Sequence, residues 1–289
     1  MDSIIIYGLV YSMTLALTAI GLSLTFGISG VANFAIGGLY VLAGYLPWLF
    51  ISNFGIPYPV AVVMSLLISA IIGALIYQLI LQRVRGYLLA EVIGTFAIGI
   101  AILETIRASG LVGFGAKIPP FIQGTTMLLG VPIDFQRIFI VLTALILIGG
   151  LWLFTRRTKV GLAFRGIAQN ERTALAFGIE SDRIAMLSLV AGSVLIAIAA
   201  ITILPLGLIH VDNGYEVLII AIAVGIVGGL ESLPGIILAS FILGFSQTLA
   251  AMFIGTHWIM VVFLAAIVIV LALRPSGLLG RFKEIEERV

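Results

Sequence analysis

Residues 3–30 read SIIIYGLVYSMTLALTAIGLSLTFGISG. They contain no Asp, Glu, Lys or Arg, and the charge-free run continues to Gln82. A helix needs ~20 mostly apolar residues to cross the roughly 30 Å hydrocarbon core of a bilayer. A transmembrane β-strand would show ~10-residue segments of alternating polarity, and this stretch is apolar on both parities. A second charge-free run, Leu233 to Leu273, repeats the pattern. The fold class that follows is an all-α polytopic membrane protein. Composition points the same way: 62% of the 289 residues are hydrophobic and 10% charged, against roughly 45–50% and about 25% in soluble domains. Disorder needs the opposite balance.

Working outward from that run, apolar stretches predict nine spans near 4–26, 34–52, 59–81, 88–108, 138–154, 184–204, 217–230, 235–254 and 258–273. The range is eight to ten, because 217–230 is short and 27–33 carries no charge to hold it outside the bilayer. Broken or re-entrant pieces are expected at 27–33 and 217–235. Residues 53–59, with Gly55, Pro57 and Pro59, form a turn. The Gly- and Pro-rich stretch 109–137 is too polar and interrupted to span. Met1-Asp2-Ser3 lacks the basic region of a signal peptide, so the first run reads as a retained span. The whole chain, 1–289, reads as a single transmembrane domain with a basic loop at 155–183 and a tail at 274–289.

Charge sets an orientation. If all nine spans cross and the C-terminus is cytoplasmic, twelve of the fifteen basic residues lie inside: Arg83, Arg85, Arg156, Arg157, Lys159, Arg165, Arg172, Arg183, Arg274, Arg281, Lys283 and Arg288. Arg107, Lys117 and Arg137 lie outside. Cytoplasmic loops carry the Lys/Arg excess, so the N-terminus is expected outside and the C-terminus in the cytoplasm. The same rule reads the basic residues as membrane topology signals rather than as a nucleic-acid surface.

Residue types bound the chemistry. There is no Cys and only His210 and His257, so thiolate chemistry and multi-histidine metal sites are excluded. No P-loop, G-x-S-x-G or H-E-x-x-H motif is present. The chain is expected to be neither an enzyme nor a cofactor protein. Glu104 and Arg107, three apart near an outer helix end, are placed to pair; a role in a solute path is the competing reading. Glu91, near an inner end, is placed to reach headgroup water. His257-Trp258 reads as an interfacial anchor. His210, Asp212 and Glu216 fall in an outer loop, as solvated polarity or as a contact for an external protein. The sparse intramembrane acids and bases argue against a proton-coupled carrier.

The loop 155–183 predicts a short helix, a turn at Gln169-Asn170-Glu171 and a second short helix ending at Gly178. A solvated basic loop is one reading. A docking surface for a soluble partner is the other, with small residues for close approach and Arg165 to meet a carboxylate or a helix C-terminus. Glycines at 27, 30, 37 and 38 with Asn33 suggest a broken helix. Such backbone is tolerated at membrane depth where it faces protein or a water-filled cavity. Close helix packing through small residues is the alternative. Gly225, Gly228, Gly229 and Gly235 invite the same pair of readings, and the two segments could be counterparts in an inverted repeat.

Four motifs in register resemble the permeases of ABC importers for branched-chain amino acids, the LivH/LivM type. Gly161, Ala163 and Arg165, then Ala174, Gly178 and Ile179, then Asp182-Arg183, match that family's G-x-A-x-R-A, A…GI and D/T-R pattern, with Gly166 for the last Ala. Residues 27–38 are similar to its G-x-x-x-x-x-N-F-A-H-G-E, with Ile36 for His and Gly38 for Glu. Residues 227–235 match G-G-x-G-S-x-x-G with Glu231 for one Gly, and 274–280 match R-P-x-G-L-F-G. The resemblance implies an ABC importer permease fold. It also implies that Gly161, Ala163, Arg165, Ala174, Gly178 and Ile179 form the coupling loop to ATP-binding cassette subunits. Gly30, Asn33, Phe34, Gly37, Gly38, Gly228 and Gly229 become substrate-pathway candidates. Expected partners are the ATP-binding cassette subunits, a second, similar permease subunit, an extracytoplasmic substrate-binding protein and membrane lipid, in the plasma membrane. The implied cargo is Leu, Ile or Val. Urea, amides or other amino acids are the alternative cargo, and a stand-alone carrier or channel is the alternative device.

Overall fold

The computed structural model describes residues 2–30, 33–109 and 117–280. Val31, Ala32, Gly110, Gly113, Gly115, Arg281, Lys283 and Arg288, named above, lie outside that set. Long helices dominate: α1 (Asp2–Ser29), α2 (Ile36–Phe54), α3 (Tyr58–Ile76), which continues through a π turn (Tyr77–Leu81) into α4 (Gln82–Val84), and α5 (Leu88–Ala108). A hairpin of β1 (Thr125–Leu128) and β2 (Val131–Asp134) leads into α6 (Phe135–Arg157). Two short helices follow, α7 (Lys159–Gln169) and α8 (Glu171–Ala176). The chain ends in α9 (Ser181–Ile203), α10 (Asn213–Gly228), α11 (Leu233–Phe253) and α12 (Ile259–Leu273). Among the described residues, eight helical segments are long and apolar enough to cross a membrane, and α10 is a shorter ninth. Each predicted span therefore has its helix.

The boundaries follow from local chemistry. Gly55 takes φ 62°, and its N–H reaches back to Ile51 O, closing α2; Pro57 and Pro59 then open α3. In the stretch 109–137, Leu129 (φ 50°) and Gly130 (φ 77°) make the two-residue turn of the hairpin. Paired positive φ values give the twist that tight hairpins favour. Val131 and Ile133 bury against Ile6 on α1, and Tyr7 Oη donates to Pro132 O at 3.0 Å.

The bundle is organised around α1, which packs along α9 and α11 and also meets α10 and α6. Small residues let these backbones close up. A Cβ on Gly21 would lie 2.9 Å from Gly192 O on α9, and one on Gly244 of α11 would lie 2.6 Å from Ser12 N on α1. Lipid tails are as apolar as Leu, so van der Waals contact of this kind drives helix association in a membrane. By contrast α12 buries only Phe263.

Two helices begin in the interior. The backbone N–H of Phe34 donates to Thr95 Oγ1 at 3.1 Å. Gly38 lies against Gly99, so α2 starts level with the middle of α5 rather than at a membrane face. Between α9 and α10 the chain also turns inward, with Ile209 and Val211 buried. Gly214, in the first turn of α10, packs on Gly37 and on Leu103 of α5. The N-termini of α2 and α10 thus meet inside the bundle and the helices leave in opposite directions. The expected broken helices are present. Gly37 packs on Gly214, and Gly27 lies against Leu230 and Glu231 of the second glycine segment, where Ser23 Oγ donates to Leu230 O at 3.0 Å.

Candidate functional site

The basic loop folds as two capped helices. Thr158 Oγ1 accepts from Gly161 N at 2.9 Å and opens α7, while Asn170 Oδ1 accepts from Thr173 N at 2.8 Å and opens α8. Side-chain oxygens at these positions satisfy amide donors that a helix start leaves unpaired. Gly178, at φ 79°, closes α8, with Ile179 N donating to Ala174 O at 3.1 Å. α7 buries Gly161, Phe164 and Ile167 on the bundle and turns its other face out.

The loop residues singled out in the sequence separate into two groups. Gly161 lies against α6, where a Cβ would stand 2.2 Å from Phe154 O. Ala174 is buried, and Ala163 and Ile179 are partly buried in the same apolar cluster as Phe164 and Ile167. These residues, with Gly178, hold the loop's shape. Arg165 is exposed and lines a cleft of about 830 Å³ with Ser23, Gly27, Thr155, Glu231 and Ser232. Sequence reasoning missed the outward face: Phe177 is 82% exposed, Leu162 61% and Leu175 50%. Their signal was present as apolar residues between the buried positions of two amphipathic helices.

Arg85 was also missed as a functional residue. Its guanidinium meets Glu171 at the start of α8 and Ser181 Oγ and Asp182 at the start of α9. Tyr77 Oη donates to the same Asp182 carboxylate at 2.9 Å. The α3–α5 turn and the two short helices are thereby fastened together. Glu91 does not reach headgroup water: it is buried, and its Oε1 accepts from Gly86 N at 3.0 Å in that turn.

The glycine segments are close-packed. Asn33 is buried, with Oδ1 accepting from Ala35 N at 3.0 Å, and Phe34 packs against the central apolar cluster. A Cβ on Gly37 would meet Gly214 O at 2.3 Å, and one on Gly38 would meet Gly99 O at 2.6 Å. Gly30, at φ 63°, ends α1. Gly228 packs on Gly235, and Gly229, at φ 96°, packs on Gly280. Leu278 N and Leu279 N donate to Val227 O and Gly228 O at 2.8 and 3.2 Å, so the tail motif caps the last carbonyls of α10. Ser232 Oγ accepts from Gly235 N at 3.1 Å to open α11. Two motifs that are separate in sequence are one joint in space.

At the other end of the bundle, Arg107 Nη1 lies 2.5 Å from Glu104 and Nη2 lies 3.2 Å from Asp212. The expected Glu104–Arg107 pair is present and gains a third member. Among the described residues no cluster of three His, Asp or Glu is placed to hold a metal ion.

The comparisons with known proteins agree with this architecture. BraD of Pseudomonas aeruginosa, a high-affinity branched-chain amino acid transport system permease protein, is 28% identical over 291 residues, covering 96% of this chain and 95% of its own. LivH of Salmonella typhimurium is 29% identical, covering 95% and 94%, and a probable LivH permease of Methanocaldococcus jannaschii is 28% identical, covering 94% and 90%. Among solved structures, PsaBC from Streptococcus pneumoniae in complex with Fab has the same fold at TM-score 0.51 and 14% identity, over 92% of this chain and 90% of that one. The family model for the permease component of branched-chain amino acid transport systems matches residues 4–273, and to that family of multi-pass membrane permeases the chain belongs.

Proposed function

We propose that the chain is one wall of a conduit that carries branched-chain amino acids across the plasma membrane, driven by ATP hydrolysis on separate subunits. The observation that carries the reading is the α7–α8 pair. It presents Leu162, Arg165, Leu175 and Phe177 outward at one end of the bundle, on a base held by Gly161, Ala163, Ala174, Gly178 and Ile179. An apolar patch with a cation is suited to a soluble ATP-binding cassette subunit. The chain's own sequence has no nucleotide-binding motif. The end bearing α7 and α8 is cytoplasmic, and the N-terminus is outside.

Closure of two ATPase subunits would push on α7 and α8. Through Arg85 the push reaches the α3–α5 turn, and through Ser181 and Asp182 it reaches α9. Gly30, Asn33, Phe34, Gly37 and Gly38, where α2 begins, and Gly228 and Gly229, where α10 meets α11, are the joints about which the pathway wall would rock. A second permease chain closes the conduit, and an external binding protein delivers cargo to the opposite end. Proteoliposomes holding the chain with its ATPase subunits, a second permease and the binding protein should take up leucine, isoleucine and valine only with ATP. Flux through this chain alone, or uptake of urea without leucine, would overturn the proposal.

A further inference from the structure

We infer that Glu216, one turn below the Arg107–Asp212 contact, binds the ammonium group of a zwitterionic amino acid in the conduit, with Arg107 meeting its carboxylate. This rests on the permease reading above. α5 packs against α2 and the π turn, leaving Ile93, Phe96, Ala97, Ala101, Glu104 and Thr105 uncovered. Beside it, α10 exposes Asp212, Glu216 and Ile219. The two helices flank the start of α2, through Gly99 on Gly38 and Gly214 on Gly37. Arg107 ties them together by reaching Asp212 at 3.2 Å. Their uncovered faces therefore form one wall.

That wall does not face lipid. Gly214 is level with residues 99–103 of a helix that runs from 88 to 108, so Glu216, further along α10 as it runs inward, lies well inside the span. A carboxylate there is costly against hydrocarbon, and such residues face water or protein. Glu216 is exposed and makes no ion pair or side-chain hydrogen bond among the described residues. It is the free acid of a group whose other members, Glu104, Arg107 and Asp212, are engaged with one another.

The spacing fits a small zwitterion. Residues four apart on a helix stand about 5–6 Å from one another on one face, so Asp212 and Glu216 share a stripe. Ile219 continues that stripe inward, and Phe96 lies uncovered on α5. From the outer end the wall therefore presents a guanidinium, then a carboxylate, then aliphatic and aromatic surface. That order matches the carboxylate, ammonium and side chain of an aliphatic amino acid. Arg107 spends one Nη on each neighbouring carboxylate and retains further N–H donors for a ligand.

The experiment uses the full transporter in proteoliposomes with leucine-loaded binding protein at saturation. Glu216→Gln should lower ATP-dependent leucine uptake at least tenfold. Glu216→Asp, which keeps the charge, should retain a third or more. Both variants should co-purify with their partner subunits and melt within two degrees of wild type. Uptake by Glu216→Gln within twofold of wild type overturns the inference, and so does a loss that Glu216→Asp shares or that comes with failed assembly. If the wild-type transporter itself shows no ATP-dependent leucine uptake, the permease reading falls instead.

Discussion

At Gly38 a single missing methyl group decides how deep α2 can start. A Cβ there would stand 2.6 Å from Gly99 O and 2.9 Å from Gly99 Cα, and backbone atoms cannot swing aside. Overpacking of this sort costs about 1–3 kcal/mol. Gly38→Val should therefore lower the thermal midpoint in detergent by several degrees. Gly150→Ala, in α6 with nothing within 4 Å of the added Cβ, should leave it unchanged or raise it, since Ala gains up to ~1 kcal/mol over Gly inside a helix. Equal shifts in scanning fluorimetry would count against the packing account. The sequence showed a cluster of glycines that breaks a helix, and the break is there. The partners Gly99 and Gly214 were not legible, because periodicity reports which face of a helix is apolar and not which distant backbone it will touch.

Among the elements, α7 and α8 were the most legible. Thr158, Asn170 and Gly178 are local signals, and local signals are read from neighbours in the chain. What composition could not separate was which residues of the loop build it and which face away from it. Gly161 and Ala174 are small because α6 and α7 press on them, while Phe177 is large and four-fifths uncovered, at 82%. A docking role makes a distinction that a merely solvated loop does not. Phe177→Ser should reduce co-purification with the ATPase subunits several-fold and leave the thermal midpoint of the isolated chain unchanged. Undiminished co-purification would remove Phe177 from the contact. The short helix α10 was the hardest element to read. Its 16 residues make ~24 Å of helix, too short for a span, and only its contact with Gly37 reveals that it starts in the interior.

For the molecule as a whole, the main question is which end faces the cytoplasm. Twelve of the fifteen basic residues were assigned to one side by span parity alone. In the structure Arg85 joins Glu171 and Asp182, so the α3–α5 turn and the α7–α8 loop share one end of the bundle, as that parity requires. Arg107, in the last turn of α5 toward the opposite end, reaches Asp212 at the start of α10. Charge asymmetry of this kind sets orientation because Lys and Arg are retained on the cytoplasmic side. The chain has no cysteine, so one introduced thiol reports one position without background. Thr173→Cys lies on exposed α8, and Asn53→Cys lies on the exposed end of α2. A membrane-impermeant maleimide added to intact cells should label the second and spare the first. After permeabilisation both should react. Labelling of residue 173 from outside, with residue 53 protected, would invert the molecule in its membrane and place α7 and α8 beyond the reach of any cytoplasmic ATPase.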